Sequence, residues 1–188
     1  MGTNVKQHVC PVEFAGSLDN RFRRWLQNPK TLLSPYIKPG MRVLDMGCGP
    51  GFFTIEMARL TGMDGQVVAA DLQKGMLEKI AKKINGSELS SRITLHLCQH
   101  NKIGLTGKFD FIFAFYMVHE VSNKDFFFRE LSSLMKSGGK LLIIEPKFHV
   151  PEKSFAKTIG ILTSCGFSVI KKRSALVNRE VLVTFDLN

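Results

Sequence analysis

The chain has 188 residues, 44% of them hydrophobic and 22% charged, and carries a net charge of +10. That length fits one domain with a sizeable core, and the composition excludes disorder, collagen-like repeats and coiled coil. No apolar run nears the ~20 residues of a membrane span, so no membrane partner is expected.

Residues 1–40 are broken by Pro11, Pro29, Pro35 and Pro39. Between them Leu18, Phe22, Trp25 and Leu26 share one helical face, which predicts an amphipathic helix laid over the domain as a lid. A short helix is expected near Thr31–Ile37. These forty residues are read as a helical cap segment.

From Met41 the pattern alternates strand and helix. Strands are predicted at Arg42–Met46, Gln66–Asp71, Arg92–Leu97 and Lys140–Glu145. The nearly continuous apolar run Phe109–Tyr116 reads as a central strand covered on both faces. Helices are predicted at Phe52–Leu60, Leu72–Ile84, Phe126–Met135 and Ser154–Cys165. Gly138-Gly139 and Gly166 act as stops. Phe167–Lys172 and Arg179–Phe185 close the chain as a hairpin-like pair. Alternation of this kind means an α/β domain with a mainly parallel sheet, whose ligands bind at the carboxyl ends of the strands.

Phe126, Phe127 and Phe128 are consecutive helix residues about 100° apart, so they cannot share one buried stripe. One ring must look away from the sheet. It either tucks under an adjoining loop or makes a homodimer contact.

The four cysteines include no C-x-x-C pair, which fits a reducing cytoplasm, and Lys6 is followed by no signal-peptide pattern. His8-x-Cys10 and Cys98-x-His100 lack the usual spacing of a zinc motif, and no metal site is expected. If Cys10 folded over toward Cys48 and Cys98, the pocket would favour a soft metalloid or a thiol.

The most informative segment is Val43-Leu-Asp-Met-Gly-Cys-Gly-Pro-Gly51, which follows a strand and opens a helix. A dinucleotide site wants G-x-G-x-x-G, but here the glycines are spaced G-x-G-x-G. No G-K-[ST] of a P-loop follows. Asp45 enters the same loop, and a carboxylate there repels pyrophosphate and suits a cation. Asp71 ends the next strand, where an acid accepts hydrogen bonds from ribose hydroxyls. The pattern favours an adenosine cofactor that is positively charged and free of phosphate.

Val43–Gly51, Asp71, Gln99-His100 and Asp110–Val121 resemble, in order and spacing, the successive motifs of class I S-adenosylmethionine-dependent methyltransferases. The likeness spans about residues 40–186 and is nearest the small-molecule group that includes ubiquinone/menaquinone-biosynthesis enzymes. It implies a Rossmann-like seven-stranded, mostly parallel sheet of order 3-2-1-4-5-7-6 with helices on both faces, and a cofactor-binding domain over 41–188. By the resemblance, Asp45, Gly47 and Gly49 line the methionine moiety. Asp71 holds the ribose, Leu72 packs on adenine, and the backbone at Ala114 and Phe115 faces the methionine amino group. Gln99 stands where many members have an acid, and its side-chain oxygen accepts the same hydrogen bond. Cys48, Gly51, Met76 and His100 complete the expected cofactor set.

Methyl transfer from a sulfonium is an in-line displacement that rests on positioning and exclusion of water. The candidates for a base are Tyr116 and His119. Glu120 reads as a solvated helix residue, and Glu145 and His149 as residues at the cleft edge. The Asn/Asp-Pro-Pro-Tyr/Phe and Pro-Cys motifs of nucleic-acid enzymes are absent after the fourth strand. The expected acceptor is a small molecule. An RNA or protein acceptor, suggested by the +10 charge, and a non-catalytic adenosine-binding module are the alternatives.

Overall fold

A computed structural model describes residues 28–186. The expected Leu18–Leu26 lid, with His8, Cys10 and Arg21–Arg24, lies outside the described residues. Seven strands form one sheet: β1 Arg42–Met46, β2 Gln66–Asp71, β3 Ile93–Leu97, β4 Phe109–Phe115, β5 Met135–Pro146, β6 Phe167–Ser174 and β7 Asn178–Phe185. Their order is β3-β2-β1-β4-β5-β7-β6. The first five strands run parallel, and β7 pairs antiparallel with both β5 and β6. The α-helices of the described residues are α1 Pro29–Leu33, α2 Thr54–Leu60, α3 Lys74–Ile84, α4 Lys124–Ser133 and α5 Glu152–Ser164.

Side chains alternate across a strand, so neighbouring residues serve opposite layers. Val43, Phe111 and Phe113 face a layer built from Leu33, Met57, Leu77 and Ile80 on α1–α3. Leu44, Ile112 and Ala114 face the other layer, filled by Phe128 and Leu131 of α4 and by Phe155 and Leu162 of α5. Burial on both faces is why β4 reads as an unbroken apolar run.

The element ends differ from the sequence reading where side chains cap them. Helix α1 starts at Pro29 because Asn28 Oδ1 accepts from the Lys30 and Thr31 N–H groups. Asn123 accepts from Phe126 N, which starts α4 at Lys124 rather than Phe126. Gly138-Gly139, expected as a helix stop, falls within β5, and the β4–β5 register shifts between Phe109 and Phe111. Leu33 and Ile37 belong to the core, so the end of the presumed cap segment is a packed layer of the domain. Phe127 and Phe128 are buried, and the outward ring is Phe126, 47% exposed.

Candidate functional site

A cavity of about 470 Å³ opens over the carboxyl ends of β1, β2 and β4, within the size range of small-molecule sites. Its floor is the loop after β1. Gly47 has φ +70°, and a Cβ there would stand 2.8 Å from Met117 Cγ and 2.9 Å from Met117 Cβ. Gly51 has φ +85°, and its Cβ would stand 2.8 Å from Ile80 Cγ1 of α3. The first glycine admits the Met117 side chain of the cavity wall, and the third admits a helix against the loop.

Two carboxylates organise this floor. Asp45 is 2% exposed and accepts a 2.6 Å hydrogen bond from the Thr54 hydroxyl at the start of α2. Burial, joined by the nearby charge of Asp71, raises its pKa to about 7, against the opposing effect of Thr54. Asp71 Oδ2 accepts from Gly49 N and its Oδ1 from Gln73 N, each at 2.9 Å. Burial raises its pKa as well, opposed by these backbone hydrogen bonds. Cys48 and Cys98 line the same cavity as neutral thiols. Burial lifts Cys48 well above the usual thiol range and takes Cys98 to about 12. The backbone N–H of Cys48 bonds Ala70 and that of Cys98 bonds Asp71, so the two thiols flank β2 from opposite sides.

The far end of the cavity is walled by Leu72, Met76, Gln99 and His100, and by the segment Asn101–Ile103. That segment is pinned by Glu130, which accepts from Ile103 N at 2.9 Å, and by His96 Nε2 against the Ile103 carbonyl at 2.6 Å. The near end is walled by Phe53, Phe115, Tyr116, Glu120, Val121 and Phe126. Tyr116 has φ +56°, a left-handed conformation rare for a bulky residue. Its hydroxyl donates to Asn178 on β7, and its ring stacks on Phe115 with centroids 4.0 Å apart.

Asp45, Gly47, Cys48, Gly49, Asp71, Leu72, Met76, Gln99, His100, Phe115 and Tyr116 all reach the cavity. Gly51 and Ala114 do not. Gly51 supports the loop from behind, and Ala114 is fully buried between Met46 and Ile143. His119 is also absent from this wall. Its Nδ1 lies 2.5 Å from Oε2 of buried Glu145, whose Oε1 accepts from Val118 N, and this pair holds the ring in a second cavity on the α4–α5 side. The hydrogen bond to Glu145 raises the His119 pKa, burial opposing it. Sequence reasoning missed Met117, Phe53 and Phe126 on the wall. For Met117 a signal exists, since the glycine at 47 requires a close neighbour.

The floor fits a cofactor that carries positive charge beside a ribose. A buried acid with a pKa near 7 is a carboxylate short of a cation. Gly49, where a Cβ would meet nothing within 4 Å, leaves the loop open to a ligand. Among the described residues no group of three or more His, Cys, Asp or Glu is placed to hold a metal ion.

Residues 37–174 match the family model described as a methyltransferase domain. Among curated proteins, the chain is 31% identical over 146 residues to the ubiquinone/menaquinone biosynthesis C-methyltransferase UbiE of Shewanella frigidimarina, covering 76% of this chain and 56% of that one. It is 30% identical over 153 residues to UbiE of Shewanella pealeana, covering 80% and 59%. The chain thus spans less than three fifths of the length of these curated relatives. A SAM-dependent methyltransferase from Aquifex aeolicus superposes with a TM-score of 0.84 at 28% identity, over 94% of this chain and 100% of that one.

Proposed function

The chain belongs to the class I S-adenosylmethionine-dependent methyltransferases, and from that membership we propose that it binds S-adenosylmethionine in the cavity over β1 and β2 and methylates a small-molecule acceptor. The observation that carries this reading is Asp45, buried and held near pKa 7. It is a carboxylate that gains a partner when a cationic amino acid moiety arrives.

When bound, the cofactor supplies an electrophilic methyl group on a sulfonium. The residues of the chain bind and orient around it. Asp45 and the glycine loop receive the amino acid end, Asp71 the ribose, and Leu72 with Met76 the apolar base. Phe53, Phe115, Tyr116 and Phe126 form an aromatic wall beside this place, which suits a flat aromatic acceptor and excludes water. Tyr116 and Glu120 stand on that wall, positioned to orient an acceptor hydroxyl or take its proton. His119 reaches the reaction only through the loop that it anchors. The relatives named for quinone biosynthesis support an aromatic carbon acceptor.

The described basic groups are scattered, which favours a small acceptor over RNA. Lys82 and Lys83 lie on α3 beside β2 and β3, whereas Lys171, Lys172 and Arg173 lie on β6 at the opposite sheet edge. We place the activity in the cytoplasm, a reading supported by the free thiols Cys48, Cys98 and Cys165. No helix of the described residues is long and apolar enough to cross a membrane.

Titration calorimetry with S-adenosylhomocysteine and with NADH, followed by transfer of labelled methyl from S-adenosylmethionine to a short-chain naphthohydroquinone, tests the reading. Binding of the adenosyl compound alone, with label in the organic product, is expected. Binding of NADH with none of S-adenosylhomocysteine overturns it.

A further inference from the structure

The second cavity, about 760 Å³, lies where the N-terminal ends of α4 and α5 approach the carboxyl end of β5. Nothing in the proposed methyl transfer uses it. Among the described residues only Ser122 and Asn123 line both cavities, so the 121–123 strap is the partition between them.

The charges facing this space are unevenly committed. The acids are Glu145 and Asp125. Glu145 is 2% exposed and has both oxygens occupied, by Val118 N and by His119 Nδ1. Asp125 pairs with Arg129 at 2.6 Å. The cations are Lys124 and Lys157, joined by the imidazoles of His119 and His149, whose ring centroids lie 5.6 Å apart. Lys124 Nζ donates to the Val121 carbonyl, and the Glu145 carboxylate acts on its charge from nearby. Lys157 makes no ion pair among those of the described residues. The Ser154 side chain adds a hydroxyl. Each carboxylate thus already holds a partner, whereas among the described residues Lys157 faces the space with no ion pair and Lys124 feels only the charge of Glu145, which is already engaged.

Lys124 points the same way. Burial lowers its pKa, with Glu145 opposing, which is the behaviour of a desolvated ammonium short of an anion. At the other wall α5 starts after Pro151 with no side-chain cap, and Ser154 and Lys157 stand on its first two turns facing the cavity.

We propose that this cavity is an oxoanion site, distinct from the cofactor cavity, in which Lys157, Lys124, His149, His119 and the Ser154 hydroxyl receive a phosphate or carboxylate group. A tetrahedral or planar oxoanion accepts several donors at once, and the two imidazoles and two ammonium groups supply them from three sides. Glu145 fixes the His119 Nδ1–H, so the ring meets the anion through Nε2. The ligand is either a free small anion or the anionic group of a larger molecule, and both present the same chemistry.

The full-length protein is titrated with inorganic phosphate to about 50 mM, covering the millimolar range of weak ionic sites. Chloride at matched ionic strength is the control. Long-range nitrogen–proton NMR reads the imidazoles. Phosphate is expected to shift His119 and His149 saturably, leaving His96 and His100 in place. Lys157→Gln, an exposed change, is expected to weaken that response about tenfold, the equivalent of one lost ionic contact. It should leave S-adenosylhomocysteine affinity unaltered. A phenyl phosphate arm separates the sources: equal or tighter binding marks an anionic group on a larger ligand, and exclusion marks a free anion. Imidazole shifts that chloride reproduces, or that Lys157→Gln leaves intact, overturn the proposal. Because S-adenosylhomocysteine is titrated separately, loss of the cofactor reading and loss of this site are told apart.

Discussion

Asp71 ties the glycine loop to the neighbouring strand: its Oδ2 accepts the Gly49 N–H at 2.9 Å while its Oδ1 accepts the Gln73 N–H at the same distance. One carboxylate at the end of β2 thus sets the loop after β1 and the turn into α3 before any ligand arrives. Preorganisation of this kind removes an ordering cost from binding.

Asp71→Ala should weaken S-adenosylhomocysteine binding by about 1.5–3 kcal/mol, the range for hydrogen bonds to a charged group. Asp71→Asn, which keeps one acceptor oxygen, should lose less. Calorimetry on both variants measures it. An unchanged Kd in the alanine variant removes Asp71 from the ribose.

Asp45 makes binding depend on pH. Its folded pKa of about 7 lies above the ordinary value of 3.8, so the folded state holds a proton that the unfolded chain has released. Between those two values the group's contribution to stability falls as pH rises, by a few kcal/mol in total. The ammonium group of the ligand's amino acid end needs the ionised carboxylate, so binding below pH 7 must release a proton. Affinity for S-adenosylhomocysteine should climb from acid pH and level off near pH 7. Calorimetry in buffers of different ionisation enthalpy should detect the released proton below pH 7. Asp45→Asn should bind weakly with no such slope, and a wild type with a flat profile would contradict the assignment.

Much of this site was legible because backbone demands are written in residue type. The sheet order followed from the resemblance, and the G-x-G-x-G spacing with Asp45 and Asp71 marked the floor before any coordinates. The cavity that His119 lines was not legible in the same way. The histidine's partner Glu145 is 26 positions away on β5, and the β4–β5 pairing brings the turn after β4 within 2.5 Å of it, on the side of the second cavity. Phe126 was likewise hidden among three identical side chains, since the Asn123 cap that sets the phase of α4 is a local hydrogen bond. Sequence reveals what a loop needs; it reveals less of where a long-range partner pulls a side chain.

Gly47→Ala should destabilise the fold by about 2–4 kcal/mol, combining the positive φ with the overlap against Met117. In a Met117→Gly background the overlap vanishes, and the same change should cost only about 1–2 kcal/mol. Urea unfolding of the four proteins gives the cycle. Equal costs in both backgrounds would mean that Met117 does not set the requirement for glycine.

Glu145→Gln tests the pair that holds His119. The folded pKa of His119 is raised, so its contribution to stability is complete below the unfolded value of 6.5 and is lost as pH rises through the folded one. The Tm difference between wild type and variant should therefore be larger at acid than at alkaline pH, and the His119 titration in the variant should move to lower pH. A His119 titration identical in the two proteins would remove the ion pair from the account.

Three adjacent phenylalanines give the last prediction. Phe128 is fully buried in the layer formed by α4 and α5, whereas Phe126 is 47% exposed and stands on the cavity wall. Truncating a buried ring leaves a cavity, so Phe128→Ala should cost about 3–5 kcal/mol of stability. Phe126→Ala removes a ring that water already reaches, so its cost should stay below about 1 kcal/mol. Ligand binding should rank them in reverse: at a temperature where both remain folded, Phe126→Ala should weaken the ligand that uses the aromatic wall, and Phe128→Ala should not. Urea unfolding and calorimetry on the same two preparations measure both quantities. A large stability loss at Phe126 with no effect on binding would place its ring in the core and take it out of the site.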